Sequence, residues 1–209
     1  MRATDAALHD RVVRGRKVSR RRLGLVVIVG LAAPLVVRPG YAESTAVPVM
    51  LQAELLAKVA EYDRNFVARA GERAKVLLIT KPSKTDSVTA AQQMSAALGR
   101  LSQIAGLAHD EIVMPYPGAV DLARLCRERR ISIVYFGPGF RDDIGDIRAA
   151  LSGVDILSVA GVPDYVKDGV VLGFDVVSGR PKLLLNLAQA RLQNVALAAA
   201  VLKLMTVYE

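Results

Sequence analysis

Two unbroken apolar runs constrain this chain most. Lys75–Thr80 reads KVLLIT and Ile131–Phe136 reads ISIVYF. A strand with one face in water alternates apolar and polar residues. A strand apolar at successive positions must be covered on both faces, as happens in parallel sheets flanked by helices. Both runs end in breakers, Lys81-Pro82-Ser83 and Gly137-Pro138-Gly139, and each is followed by helical sequence.

The rest of the chain repeats this alternation. A helix is predicted from Val49 to about Ala68, with Leu51, Leu55, Val59 and Tyr62 on one face. Asp86 or Ser87 is expected to cap a helix bearing Val88, Ala91, Met94, Leu98 and Leu101. Glu111–Met114 reads as a short strand closed by Pro115 and Pro117. Val120–Arg130 and Asp143–Leu151 read as helices, and Asp155–Ala160 as a fourth strand.

The pattern then changes. Val170–Val177 and Lys182–Asn186 flank Ser178-Gly179, a hairpin turn signal. Pro181 cannot donate to a ladder, so it belongs at a strand start or on an edge. Leu187–Met205 reads as terminal helix, with a break at Asn194 as an option. The expected fold is a three-layer α/β/α sandwich with a mostly parallel sheet, right-handed crossovers, a C-terminal β-hairpin and a terminal helix.

Charge bears on the partner. The chain has 28 Lys and Arg against 20 Asp and Glu, a net charge of +8. Residues 1–42 hold nine of the basic and two of the acidic residues, so residues 43–209 are nearly neutral, with 19 against 18. The basic excess belongs to the leader, which argues against nucleic acid as partner. That leader has a basic region ending at Arg22, an uncharged run Leu23–Val37 and the small-x-small sequence Gly40-Tyr41-Ala42, the order of an export signal. Its apolar run spans roughly 22 Å as a helix, short of a hydrocarbon core of about 30 Å. Ser19–Leu23 (SRRRL) resembles the twin-arginine signal, so either export route fits. Residues 1–42 are expected to be a cleaved signal. Residues 43–209 are expected to form a single domain in the periplasm.

Motifs that would carry chemistry are weak. The strand-to-helix turn Ile79–Thr85 lacks the glycines of a phosphate loop, leaving Lys81 and Lys84 as a solvated pair or an attraction for an anionic group. Gly137-Pro138-Gly139-Phe140 starts as G-x-G, but Asp142 stands where a dinucleotide fingerprint needs glycine. It does lie where open α/β sheets bind ligands. Asp142, Asp143 and Asp146 suit the dipole at a helix start. His109, expected in a loop, is the only histidine beyond the leader, and no G-x-S-x-G occurs. No metal site, cofactor or catalytic set is expected. Cys126, the single cysteine, sits on a helix and suits a buried apolar position, with intermolecular pairing as the alternative.

The segments Leu157-Ser158-Val159, Val162-Pro163-Asp164-Tyr165, Gly169–Phe174, Gly179–Leu187 and Val201–Met205 follow one another as in the YfiR-like family of exported bacterial proteins, which this chain resembles. Leu55–Phe66 is similar to that family's opening helix and Ile131–Phe136 to one of its strands. The matching positions, Gly173, Gly179 and Asn186 among them, are structural, and Asn186 is expected to cap or pair backbone where strand turns to helix. The resemblance implies a non-enzymatic periplasmic regulator in cyclic-di-GMP signalling, working as a homodimer. Its founding member restrains a membrane-bound diguanylate cyclase through the cyclase's periplasmic domain and carries disulfides; one cysteine excludes an intrachain bridge here. A membrane sensor, cyclase or kinase, is thus the expected partner. The contact loops are expected at Gly137, Pro138, Gly139 and Phe140, and at Pro163 and Tyr165. The alternative is a solute binder, with Lys81, Tyr116 and Tyr165 holding a small ligand.

Overall fold

The structure is a computed structural model that describes residues 47–209, so the expected export signal lies outside the described residues. Seven strands form one sheet: β1 Arg73–Thr80, β2 Ala108–Pro115, β3 Ile133–Phe136, β4 Leu157–Ala160, β5 Leu172–Val177, β6 Arg180–Asn186 and β7 Met205–Tyr208. Their order is β2-β1-β3-β4-β5-β6-β7. The first five run parallel, β6 returns antiparallel to β5, and β7 runs parallel to β6. This is the mixed three-layer α/β/α sandwich that the apolar runs predict.

The period-two geometry of the strands explains those runs. Val76 and Leu78 of β1 point to one face with Ile133, Tyr135, Leu157 and Val159. There they meet Leu56 and Val59 of α1 (Val49–Glu61), Phe66 of α2 (Phe66–Ala70), and Met94 and Leu98 of α3 (Thr85–Leu98). Leu77 and Ile79 point the other way with Val134 and Phe136. They pack on Leu122 and Cys126 of α4 (Ala119–Arg129), Ile144, Ile147 and Leu151 of α5 (Ile144–Leu151) and Val166 of α6 (Asp164–Asp168). Each fully buried Leu or Ile contributes about 1.5–3 kcal/mol to this double core.

Several boundaries differ from the sequence reading. The opening helix stops at Glu61 and restarts at Phe66, because Asp63 turns inward to a buried ion pair with Arg69 (2.8 Å). The cap expected of Asp86 or Ser87 is absent: Lys84 holds the N-cap position, and Ser87 Oγ instead accepts the Lys81 amide at 3.0 Å. His109 lies within β2 rather than in a loop, its ring between Glu111 Oε1 and the Leu101 carbonyl. Residues Asp164–Asp168, read as loop, form the one-turn helix α6.

The largest departure is at the C-terminus. The expected long helix is instead α7 Leu187–Leu192, an irregular stretch, α8 Ala199–Leu202 and strand β7. Asn194 does sit in the break, with φ 56°. The stretch is tied down by Arg64 donating to the Ala196 carbonyl (3.1 Å) and Ala198 to the Tyr62 carbonyl (2.9 Å). The hairpin turn is as its residues require: Ser178 and Gly179 both have positive φ, 52° and 74°, and link Val177 to Arg180. Pro181 faces Val176 of β5, before the β7 pairing starts at Leu183, so its missing N–H is not needed. Cys126 is buried.

Candidate functional site

The parallel strands end side by side. Thr80 pairs with Pro115, Ile79 with Phe136 and Phe136 with Ala160, so the loops after β1, β2, β3 and β4 share one edge. Two backbone bonds extend the ladders there, from the Tyr116 amide to Thr80 O (2.8 Å) and from Gly161 to Phe136 O (2.9 Å). This carboxyl edge is the usual ligand side of an open α/β sheet. It brings together Lys81, Tyr116, the Gly137–Phe140 loop, Pro163 and Tyr165.

Phe140 is the hub. It is fully buried, and its ring meets Tyr116 edge-on at 5.5 Å and Phe136 at 5.6 Å. Its amide donates to the Tyr165 hydroxyl at 3.0 Å. Lys81 Nζ lies 5.4 Å from the Phe140 ring centre and is ion-paired with Asp143 Oδ2. Burial, with Asp143 and Asp146 nearby, pushes the Tyr116 hydroxyl up to about 12. The glycines let this edge close. Gly139 has φ 96° and lies against Lys84 and Ser87, and a Cβ on Gly137 would sit 3.0 Å from Ala90 Cβ.

The arrangement corrects two expectations. The Gly137–Phe140 and Pro163–Tyr165 loops were expected to be exposed, yet Gly137, Phe140 and Tyr165 are buried, with Tyr165 only 3% exposed. Phe140 and Tyr165 serve as mortar between loops because an aromatic ring beside a parallel-strand end finds the second core waiting beneath it. Lys81 is not a free anion-binding charge either, since Asp143 already neutralises it. Sequence reasoning placed Asp143 only as a dipole complement; the strand register that sets it against Lys81 has no local signal. The exposed rim consists of Lys84, Arg141, Asp142 and Asp164, with Pro138 and Pro163 half-buried between them, and Arg141 donates to Asp164 at 2.8 Å.

The three positions read as structural hold the sheet beside this edge, Gly173 pairing with Ala160 at the end of β4. Gly173 passes under α6, where a Cβ would come within 2.4 Å of Val166 Cγ2. Gly179 completes the hairpin turn. Asn186 caps α7: its Oδ1 accepts the Gln189 amide and its Nδ2 donates to Val166 O, both at 2.9 Å. Among the described residues, no cluster of three or more His, Cys, Asp and Glu could hold a metal ion. Likewise, no helix there is long and apolar enough to cross a membrane.

Fold and edge together define a doubly wound α/β domain with a mixed sheet, whose carboxyl-edge loops are joined by aromatic contacts and by the Lys81–Asp143 and Arg141–Asp164 ion pairs. The chain belongs to the YfiR/HmsC-like family (DUF4154), which matches residues 51–206. Membership points to a regulatory rather than catalytic role and to the periplasm. No curated protein matches the sequence significantly. Among solved structures, the chain is similar to a conserved domain protein from Vibrio cholerae O1 biovar El Tor, with 12% identity, TM-score 0.55, and 79% of this chain and 61% of that one covered. It is also similar to the ABC domain in complex with L-Trp from Streptococcus pneumoniae, with 13% identity, TM-score 0.54, and 77% and 60% covered. The chain thus spans about three-fifths of each of those proteins. At such identities the likeness is one of fold.

Proposed function

We propose that this protein is a non-enzymatic periplasmic regulator, acting as a homodimer on the periplasmic domain of a membrane-bound sensor such as a diguanylate cyclase or kinase. Family membership supports the regulatory reading. The observation that carries the choice of surface is the closure of the carboxyl edge. Lys81 is paired with Asp143, the Tyr165 hydroxyl accepts the Phe140 amide, and the Tyr116 ring lies against Phe140. Groups already satisfied by one another offer a solute little to bind. What they build is a rigid platform whose rim, Lys84, Arg141, Asp142 and Asp164, meets solvent and carries charges of both signs. A rim of this kind sets partner choice and encounter rate more than raw affinity.

Arg141→Glu tests the surface. Its side chain is 63% exposed, so the fold tolerates the change while the rim charge reverses. Affinity for the sensor's periplasmic domain is expected to fall at least tenfold, mostly through a slower association rate. Unchanged affinity, with Tyr165→Phe equally silent, would remove this edge from the interface.

A further inference from the structure

The opposite edge, where the parallel strands begin, has a different chemistry. A cavity of about 250 Å³ there is lined by Arg69, Arg127, Arg130, Asp155 and the buried Cys126. A second, of about 330 Å³, is lined by Glu72, Arg73, Lys75 and again Arg130, so Arg130 stands between two hollows.

Arginines in the last turn of α4 complement its dipole. Three observations go beyond that. Arg69 is only 5% exposed and is fixed by Nε to Asp155 (2.6 Å), Nη1 to Asp63 (2.8 Å) and Nη2 to the Asn194 carbonyl (2.9 Å). A guanidinium carries five N–H groups, so two remain unused on an immobilised side chain that lines the cavity. Among the described residues, Arg127 and Arg130 have no carboxylate partner. Finally, Arg130 adopts left-handed backbone (φ 53°, ψ 54°), where glycine is the unstrained choice.

Three guanidiniums, those of Arg69, Arg127 and Arg130, line the first cavity beside the carboxylate of Asp155, and the second carboxylate, Asp63, is paired with Arg69 behind it. One further negative charge completes the balance. We propose that this cavity binds an oxyanion, a carboxylate or phosphate group, gripped by Arg127 and Arg130 from outside and by the unused N–H groups of Arg69 from the floor. Planar guanidiniums suit such groups because two N–H bonds reach two oxygens at once.

The test titrates the purified protein with inorganic phosphate and with succinate, at constant ionic strength set by chloride, and follows the Arg69 Nε–H and Ile131 amide signals by NMR. Saturable shifts with one or both anions are expected; the effective one assigns the ligand's chemistry. Arg130→Gly is the informative variant, because glycine suits the left-handed position. It is expected to melt no lower than the parent while losing at least tenfold in anion affinity, and Arg127→Gln should lose similarly. Shifts reproduced by chloride alone, or an Arg130→Gly variant that binds as the parent does, would overturn the proposal.

Discussion

Replacing Arg69 with methionine is the sharpest perturbation of the fold. The Arg69 side chain is 2% exposed and its partner Asp63 0%. Removing the guanidinium eliminates its bonds to Asp63, Asp155 and the Asn194 carbonyl. Asp155, at 48% exposure, turns to water at little cost. Asp63 has no such exit: it keeps only the amides of Asn65 (3.2 Å) and Ala196 (2.9 Å) on Oδ1. An uncompensated buried charge of this kind costs about 3–5 kcal/mol. Domains are stable by about 5–15 kcal/mol, so a large share of the margin is lost. At about 2–4 °C per kcal/mol for this size, the melting midpoint falls by roughly 6–20 °C. Urea unfolding of the parent, Arg69→Met, Asp63→Asn and the double variant measures this directly. The double variant should lose clearly less than the sum of the singles, because removing both partners leaves no orphan charge. A loss below about 1 kcal/mol for Arg69→Met, with additive singles, would mean that Asp63 is not left as an orphan buried charge.

Other outcomes follow from the same geometry. Asn186→Ala removes the cap of α7 and the bond to Val166 O, and should cost about 1–2 kcal/mol by chemical denaturation. Gly173→Ala forces a methyl against Val166 and should cost about 1–3 kcal/mol, which Val166→Ala in the same chain should partly restore. Burial pushes the Cys126 thiol up to about 12, so at pH 8 it should label with a maleimide only as fast as the fold opens, and oxidation should give no covalent dimer on gels. The Tyr116 hydroxyl is raised from 10 to about 12 in the fold, so the folded state holds its proton longer than the unfolded chain. Its contribution is complete below pH 10 and declines as pH rises towards 12, and Tyr116→Phe should flatten that part of the melting-midpoint profile.

What was legible in the sequence followed from periodicity and turn chemistry. KVLLIT and ISIVYF announced strands buried on both faces, and Ser178-Gly179 announced a turn with two positive φ angles. The broken C-terminus was not legible, since Leu187–Met205 has helical composition throughout. Its course is set by bonds to Tyr62 and Arg64, more than a hundred residues earlier. The inward turn of Asp63 shares that origin: its partner Arg69 is only six residues on, but the Ala196 amide that Asp63 accepts and the Asn194 carbonyl that fixes Arg69 come there only through the fold. At the carboxyl edge, the loops could be located from strand ends alone. Whether Phe140 and Tyr165 faced water or each other depended on the depth of the second core, which no local pattern encodes.

In the function proposed above, this domain works by holding a sensor's periplasmic domain. Light scattering of the purified protein, alone and mixed with the periplasmic domain of a membrane cyclase or kinase encoded beside it, tests that most directly. The protein alone should be a dimer, and the mixture should give a heavier mixed complex that weakens when Arg141 is reversed. A mass that ignores the partner, while a small-molecule panel raises the melting midpoint, would make the protein a solute binder and not a regulator of a sensor.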